Sequence, residues 1–335
     1  MNMKNWITDV ISNPKRIAIP VMTHPGIEMI GKTIQDAVTD GKIHSKAIKA
    51  LNERYPSAAS TVMMDLTVEA EAFGCSISFS RDEVPTVKQR LVSSYEEVQQ
   101  LLVPPLSAGR IPQYLSANQL TVATITDKPV LGGCIGPYSL AGRLFDMTEI
   151  MTAIYTEPDT ILLLLEKCTQ FLIEYCSALK AVGINGIVVA EPAAGLLSND
   201  DCQQYSSLYV KQMVDALQGD SFSVILHNCG NNGQCTQAML YTGAHGYHFG
   251  NVMNMTEALE TCPPDVLVMG NLDPVGIFKM SKPEQVKPAT KILLEQTAGY
   301  KNFVLSSGCD VPPHTPLENV EAFYEALAEY NSRFV

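Results

Sequence analysis

Two short runs, His227-Asn228-Cys229-Gly230 and Gly308-Cys309-Asp310, carry residue types that hold a soft divalent metal. Each closes an apolar, β-rich stretch: SVIL at 223–226 and FVLSS at 303–307. Side chains along a strand alternate with a period of two, so the His and Cys of a His-x-Cys pair at a strand end face the same way. A second Cys from another strand end makes a His, Cys, Cys set. Three protein ligands leave one position for water or substrate, the arrangement of catalytic rather than structural zinc. The same residues also suit a blander reading, a hydrogen-bonded histidine and two small buried cysteines. Spacing alone leaves both open. Glu191, at the end of GIVVA, has four roles open to it: fourth ligand, partner that orients a ligand, general acid or base, or a carboxylate that caps a chain turn. Asp273, in Gly270-Asn271-Leu272-Asp273-Pro274, ends a further strand and is a candidate substrate contact.

Neighbouring residues are assigned elsewhere. His245 and His248 are expected to be structural, and Cys235 to belong to the core. Cys134, ending GGC, is a weaker outsider for the site. Met253 and Met255 are packing residues, or thioethers lining a pocket for a large flat cofactor. GCIGPYSLAGRLF (133–145) reads as strand, tight turn and helix start. A helix start can hold an anion; the plainer alternative is a turn that keeps a barrel mouth open.

The elements that must position these residues recur through the second half. VLGGCIG (130–136), GIVVAEP (186–192), SVILHNCG (223–230), GYHFGN (246–251), VLVMGNLDP (266–274) and FVLSSGCD (303–310) read as strands. Near-continuous apolar strands separated by helices imply a parallel sheet covered by helices. ILLLLEKCTQFLIEYCSALKAVG (161–183) has helical spacing and a C-terminal Gly183. A helix over about 200–218 follows an Asn199 or Asp200 N-cap, and another opens after Pro316. Earlier, RIAIPVM (16–22) reads as a first strand, 28–55 as helical, 65–80 as a helix followed by the strand CSISFS, and 101–118 as loop and short helix. About eight strands suit one α/β domain over 1–335, a single (β/α)8 TIM barrel with an N-terminal helical extension and its site at the C-terminal strand ends. No GxGxxG follows an early strand, which weakens a dinucleotide-binding open sheet.

Composition narrows the class. With 23 basic and 35 acidic residues the net charge is −12, and no basic face for nucleic acid is visible. The longest apolar runs fall far short of the roughly 20 residues a membrane span needs. MNMKNWITDV lacks the apolar core of a leader. Nine cysteines, an odd count, do not read as a disulfide framework. A cytoplasmic protein is expected.

MDLTVEAEAFG (64–74), GPYSLAGRL (136–144), GNLDP (270–274) and SGCDVPPHTPLENVEAF (307–323) resemble the uroporphyrinogen decarboxylase superfamily over nearly the whole chain. The resemblance implies a TIM barrel. True decarboxylases carry an arginine-rich phrase of the M-R-Q-A-G-R-Y kind for the porphyrinogen carboxylates, where this chain has VMTHPGIEMIG (21–31), and they usually have His where this chain has Cys309. Without that arginine set a polycarboxylate is poorly held. The His-x-Cys phrase with a later Cys is similar to the branch of methylcobalamin:coenzyme M and related corrinoid-dependent methyltransferases. That branch implies zinc on His227, Cys229 and Cys309. It also implies a methylated corrinoid as donor, bound to a separate protein because D-x-H-x-x-G is absent here, and a small thiol such as coenzyme M as acceptor. Zinc would hold the acceptor thiol as a thiolate. His227 is expected to donate its other ring N–H to a carboxylate or backbone carbonyl. Glu191 is the candidate for that partner or for the open coordination position. Arg143, near a helix start, is a candidate sulfonate anchor, against the plainer reading of a surface arginine. Tetrahydrofolate as acceptor and decarboxylation of uroporphyrinogen are the alternatives.

Overall fold

The computed structural model of the chain describes residues 1–62 and 65–334. Met64, the first residue of the MDLTVEAEAFG phrase, lies outside the described residues. Seven strands form one wholly parallel sheet in the order β1 (Ser60–Thr61), β4 (Val130–Ile135), β5 (Gly186–Ala190), β6 (Ser223–Asn228), β7 (Gly246–Phe249), β8 (Leu267–Leu272) and β9 (Phe303–Ser307). The remaining two, β2 (Ile77–Ser78) and β3 (Thr86–Val87), pair antiparallel outside it. Every residue of β4 through β9 is buried. That is the consequence of near-continuous apolar runs with helices on one face and other strands' side chains on the other.

The sheet is curled. Ile19, Leu131, Val188, Ile225, Leu267, Met269 and Val304 form an apolar cluster of their own, separate from the main core. They occupy alternate positions on strands across the sheet, so this is its concave face. The N-terminal helix Met3–Ser12 packs Ile7, with Trp6, Val10 and Ile11, against that cluster.

The expected first strand is reduced to a single parallel bridge between Ala18 and Leu305. Ile19 N–H donates to Leu305 O (2.9 Å), Leu305 N–H to Ile17 O (3.1 Å), and Ala58 N–H to Ala18 O (3.0 Å). Pro20 has no N–H to continue the ladder. The helical reading of 28–55 resolves into His24–Met29, Ile34–Thr39 and Gly41–Arg54. Gly31, at φ +66°, turns the chain out of the first, and Asp40 caps the third through Lys42 N–H. The helix near 200, Asn199–Cys202, is capped by Ser198 rather than by Asn199 or Asp200: the Ser198 hydroxyl accepts from Asp201 N–H at 3.1 Å. CSISFS contributes only Ile77–Ser78, and 101–118 contains the start of a longer helix, Ile111–Thr124. Helix Pro158–Ala181 ends as the reading placed it, two residues before Gly183 at φ +102°. Among the described residues no helix is long and apolar enough to cross a membrane.

Candidate metal centre

β6 and β9 are separated by two strands in the sheet, yet their C-terminal ends meet. His227, Cys229 and Cys309 each offer a ligand atom, and these atoms lie within 4.8 Å of one another. His227 is buried, while Cys229 and Cys309 are partly exposed, so the group opens to solvent on its thiol side. The loop after β7 spaces the two thiols. A Cβ on Gly250 would stand 2.2 Å from Cys229 O, and one on Gly308 would stand 2.6 Å from Asn251 N. Only glycine permits that approach at either position. Asn271, on β8, pins the loop by donating from Nδ2 to Gly250 O (2.8 Å) and Met253 O (2.6 Å).

The donor set fits a metal ion. His227 Nε2 is buried and has no hydrogen-bond partner among the described residues, an expensive condition for a ring nitrogen unless something else takes its lone pair. The two thiols constrain each other. The hydrogen bond from Cys309 holds the Cys229 thiol below its ordinary value, against burial. The same contact, and then burial, push Cys309 up, with His227 acting in the opposite sense. Adjacent thiolates repel, and a dication is what lets both ionise.

The remaining contact of His227 departs from expectation. Its Nδ1 meets His248 Nδ1 at 2.7 Å, rather than a carboxylate or carbonyl. His248, expected to be structural, is fully buried, and burial together with the nearby His227 holds its pKa well below the usual histidine value. Its Nε2 meets Ser306 Oγ at 2.9 Å. A polar residue at an inward position of the apolar run GYHF was the signal in the sequence. His245 lies at the other end of the sheet, with Nδ1 on Ser223 Oγ at 3.0 Å.

Glu191 serves a helix end. Its carboxylate accepts from Tyr138 N–H (2.7 Å), Ser139 N–H (3.0 Å) and the Ser139 hydroxyl (2.7 Å), at the N-terminus of helix Pro137–Phe145. Burial pushes its pKa up to about 7 even against those three donors. The anion that suits this helix start is thus the chain's own carboxylate. Gly136 makes room for it, since a Cβ there would stand 2.1 Å from Glu191 Cγ. Asp273 also caps, accepting from Val275 N–H and Gly276 N–H, both at 2.9 Å. Cys134 points away from the site, 3.6 Å from Cys176 Sγ, and Cys235, Met253 and Met255 are core residues.

Arg143 lines a pocket of about 290 Å³ with His24, Asp65, Thr67 and Asp310, walled by Leu66, Val84, Pro85, Pro312 and Pro313. Asp310 directly follows Cys309 and faces His24 Nε2 at 3.2 Å. Burial pulls the His24 pKa down, but the Asp310 carboxylate and two more distant acids outweigh it and the net direction is up. Arg143 makes no ion pair with a described residue, and burial lowers its pKa against the pull of Asp65. By contrast Arg110, nearby, is committed to Asp65, Glu71 and Thr67.

Residues 13–330 match the uroporphyrinogen decarboxylase (URO-D) family. The chain belongs to that family. Among its relatives, the methylcobamide:CoM methyltransferase MtbA of Methanosarcina acetivorans is 30% identical over 282 residues, covering 80% of this chain and 79% of that one. The methylcobamide:CoM methyltransferase MtaA of Methanosarcina barkeri is 27% identical and covers 94% of each. The uroporphyrinogen decarboxylase of Pseudoalteromonas translucida is 25% identical, covering 84% of this chain and 81% of the other. In fold, the chain is similar to a solved methyltransferase from Methanosarcina mazei, with a TM-score of 0.88, 24% identity and coverage of 98% and 99%.

Proposed function

We propose that this URO-D family member is a methyltransferase that moves a methyl group from a methylated corrinoid on a partner protein to the thiol of coenzyme M. The observation that carries the reading is the convergence of His227, Cys229 and Cys309, in a chain whose relatives include methylcobamide:CoM methyltransferases. In this reading His227 and the two cysteine thiolates hold zinc. Zinc bound there would supply the positive charge that keeps an added thiol deprotonated at neutral pH. Cys229 and Cys309 bring two negative charges of their own, so the added sulfur stays electron-rich. The partly exposed thiol side leaves the approach open.

Arg143 is the proposed anchor for the acceptor's sulfonate. Arg143 lines the same pocket as Asp310 and makes no ion pair with a described residue, and the apolar walls suit a two-carbon thiol. The pocket is too small for a corrin ring, which supports delivery of the methyl donor from outside the mouth. Glu191 acts through position: by closing helix Pro137–Phe145 it fixes the segment that carries Arg143. We read the curled sheet, with 17–22 as its eighth stave, as a (β/α)8 barrel. Residues 1–335 then form one domain with an N-terminal helical extension across the barrel floor, working in the cytoplasm. A single unpaired guanidinium in the pocket weighs against a tetrapyrrole polycarboxylate.

The test is methyl transfer from free methylcobalamin, followed by the absorbance of the Co(I) product, on protein of measured zinc content. Coenzyme M, tetrahydrofolate and no acceptor are the three arms. One zinc per chain and cobalt demethylation only with coenzyme M are expected. Transfer to tetrahydrofolate alone, or decarboxylation of uroporphyrinogen by zinc-free protein, would overturn the assignment.

A further inference from the structure

We infer that His248 and Ser306 are positioning residues that set the tautomer of His227, so that its Nε2 lone pair already faces the two cysteines before a metal arrives. The inference rests on the metal site proposed above. The chain of hydrogen bonds begins at the Ile19 carbonyl, which can only accept. Ser306 Oγ donates its proton to Ile19 O at 2.7 Å, and no other described group donates to that oxygen. With its hydrogen spent there, Ser306 Oγ is the acceptor in its 2.9 Å contact with His248 Nε2. The His248 proton therefore sits on Nε2 and its Nδ1 carries a lone pair. At 2.7 Å that lone pair faces His227 Nδ1, which must carry the hydrogen. His227 Nε2 is left as a lone pair, and it is the buried atom that lacks a partner.

Direction matters because a neutral imidazole left to itself favours the proton on Nε2, here the wrong nitrogen. The relay spans the concave face from the 17–22 segment through β9 and β7 to β6. His227 and His248 are register partners on adjacent strands. The chain thus uses a second imidazole where metal-bound histidines commonly use a carboxylate or a carbonyl. Because that imidazole is neutral, it orients His227 without adding charge to a set that already holds two thiolates.

Zinc affinity by competition with a chromophoric chelator, together with ¹⁵N–¹H correlation spectra of the histidine rings in metal-free protein, tests the relay. The metal-free wild type should show His227 protonated on Nδ1 and bare on Nε2. Ser306→Ala and His248→Phe should lower zinc affinity about 10–100-fold and Ser306→Ala should mix the His227 tautomers, while Ser306→Thr, which keeps the hydroxyl, should retain both properties. A wild-type His227 protonated on Nε2 overturns the inference, and that spectrum decides even if a variant fails to fold. Unchanged affinity and tautomer in folded Ser306→Ala also overturns it. A wild type with the expected tautomer but no zinc affinity supports the relay and removes the metal reading instead.

Discussion

Two layers of one concave face, two residues apart along the same strands, are built from opposite materials. Toward the N-terminal end the inward positions are Leu131, Val188, Ile225, Leu267 and Val304, floored by Ile7 of the first helix. Toward the C-terminal end, Ile225 gives way to His227 and then Cys229, Val304 to Ser306, Met269 to Asn271, and Gly246 to His248. Alternation decides which side chains face inward, and it treats both layers alike. Only one layer has buried polar atoms whose partners must be accounted for one by one. The apolar layer holds the strands together, and the polar layer uses that rigidity to keep the His227, Cys229 and Cys309 donor atoms within reach of each other.

The sharpest way to break this contrast is a matched pair of substitutions. Cys309→Ala should abolish stoichiometric zinc and with it methyl transfer, while barely moving the urea unfolding midpoint of metal-free protein, because the side chain is partly exposed. Ile225→Ala, four residues before Cys229, should cost about 2–5 kcal/mol of stability yet leave one zinc per folded chain. Zinc retained by Cys309→Ala, or lost from folded Ile225→Ala, would show that the layers are not separable.

A buried carboxylate on helix Val68–Phe73, outside both layers, carries a cost that depends on pH. Glu69 is fully buried, accepts from Ile135 N–H (3.1 Å) through Oε1, and among the described residues has no partner for Oε2. Burial pushes its pKa from 4.5 up to about 8. A raised folded pKa gives stability that is intact below the unfolded value and lost as pH rises toward the folded one. Between those limits the folded chain holds a proton that the unfolded chain has released. The span corresponds to about 5 kcal/mol, at roughly 1.4 kcal/mol per pH unit. Glu69→Gln keeps the acceptor for Ile135 and removes the titration. Urea unfolding at pH 5 and pH 8 should therefore show the variant gaining on the wild type at the higher pH. An equal difference at both pH values would mean that Glu69 is already ionised in the folded chain.

How much of this could be read in advance follows the same division. β4 to β9 were legible because strands buried on both faces need unbroken apolar runs, and the His-x-Cys pair was legible because two is the strand period. The 16–22 segment read as a strand from its composition, but Pro20 cuts the ladder to one bridge. β1, two residues long, gives no pattern. The partner of His227 was hidden because it depends on the β6–β7 register, which no local spacing records. Glu191 went to the end of helix Pro137–Phe145 for the same reason: that helix start lies 54 residues earlier in the sequence (191 − 137) and beside β5 only in space. Arg143, read as either a surface arginine or an anchor, lines the same pocket as Asp310, a neighbour that no local spacing records.

Where the polar layer stops is a finer question, and Asp273 lies at its edge. Asn271, inward on β8, holds the loop that spaces the two cysteines, whereas Asp273 lies just past the strand, half-buried, with Oδ1 on two backbone N–H groups of the following turn. Losing a cap of this kind costs about 1 kcal/mol. Asp273→Ala should therefore lower the unfolding midpoint slightly and leave zinc content, kcat and the KM for the thiol unchanged. A raised KM at unchanged stability would instead make Asp273 a substrate contact, and the chemical layer would then extend along β8 past the end of the strand.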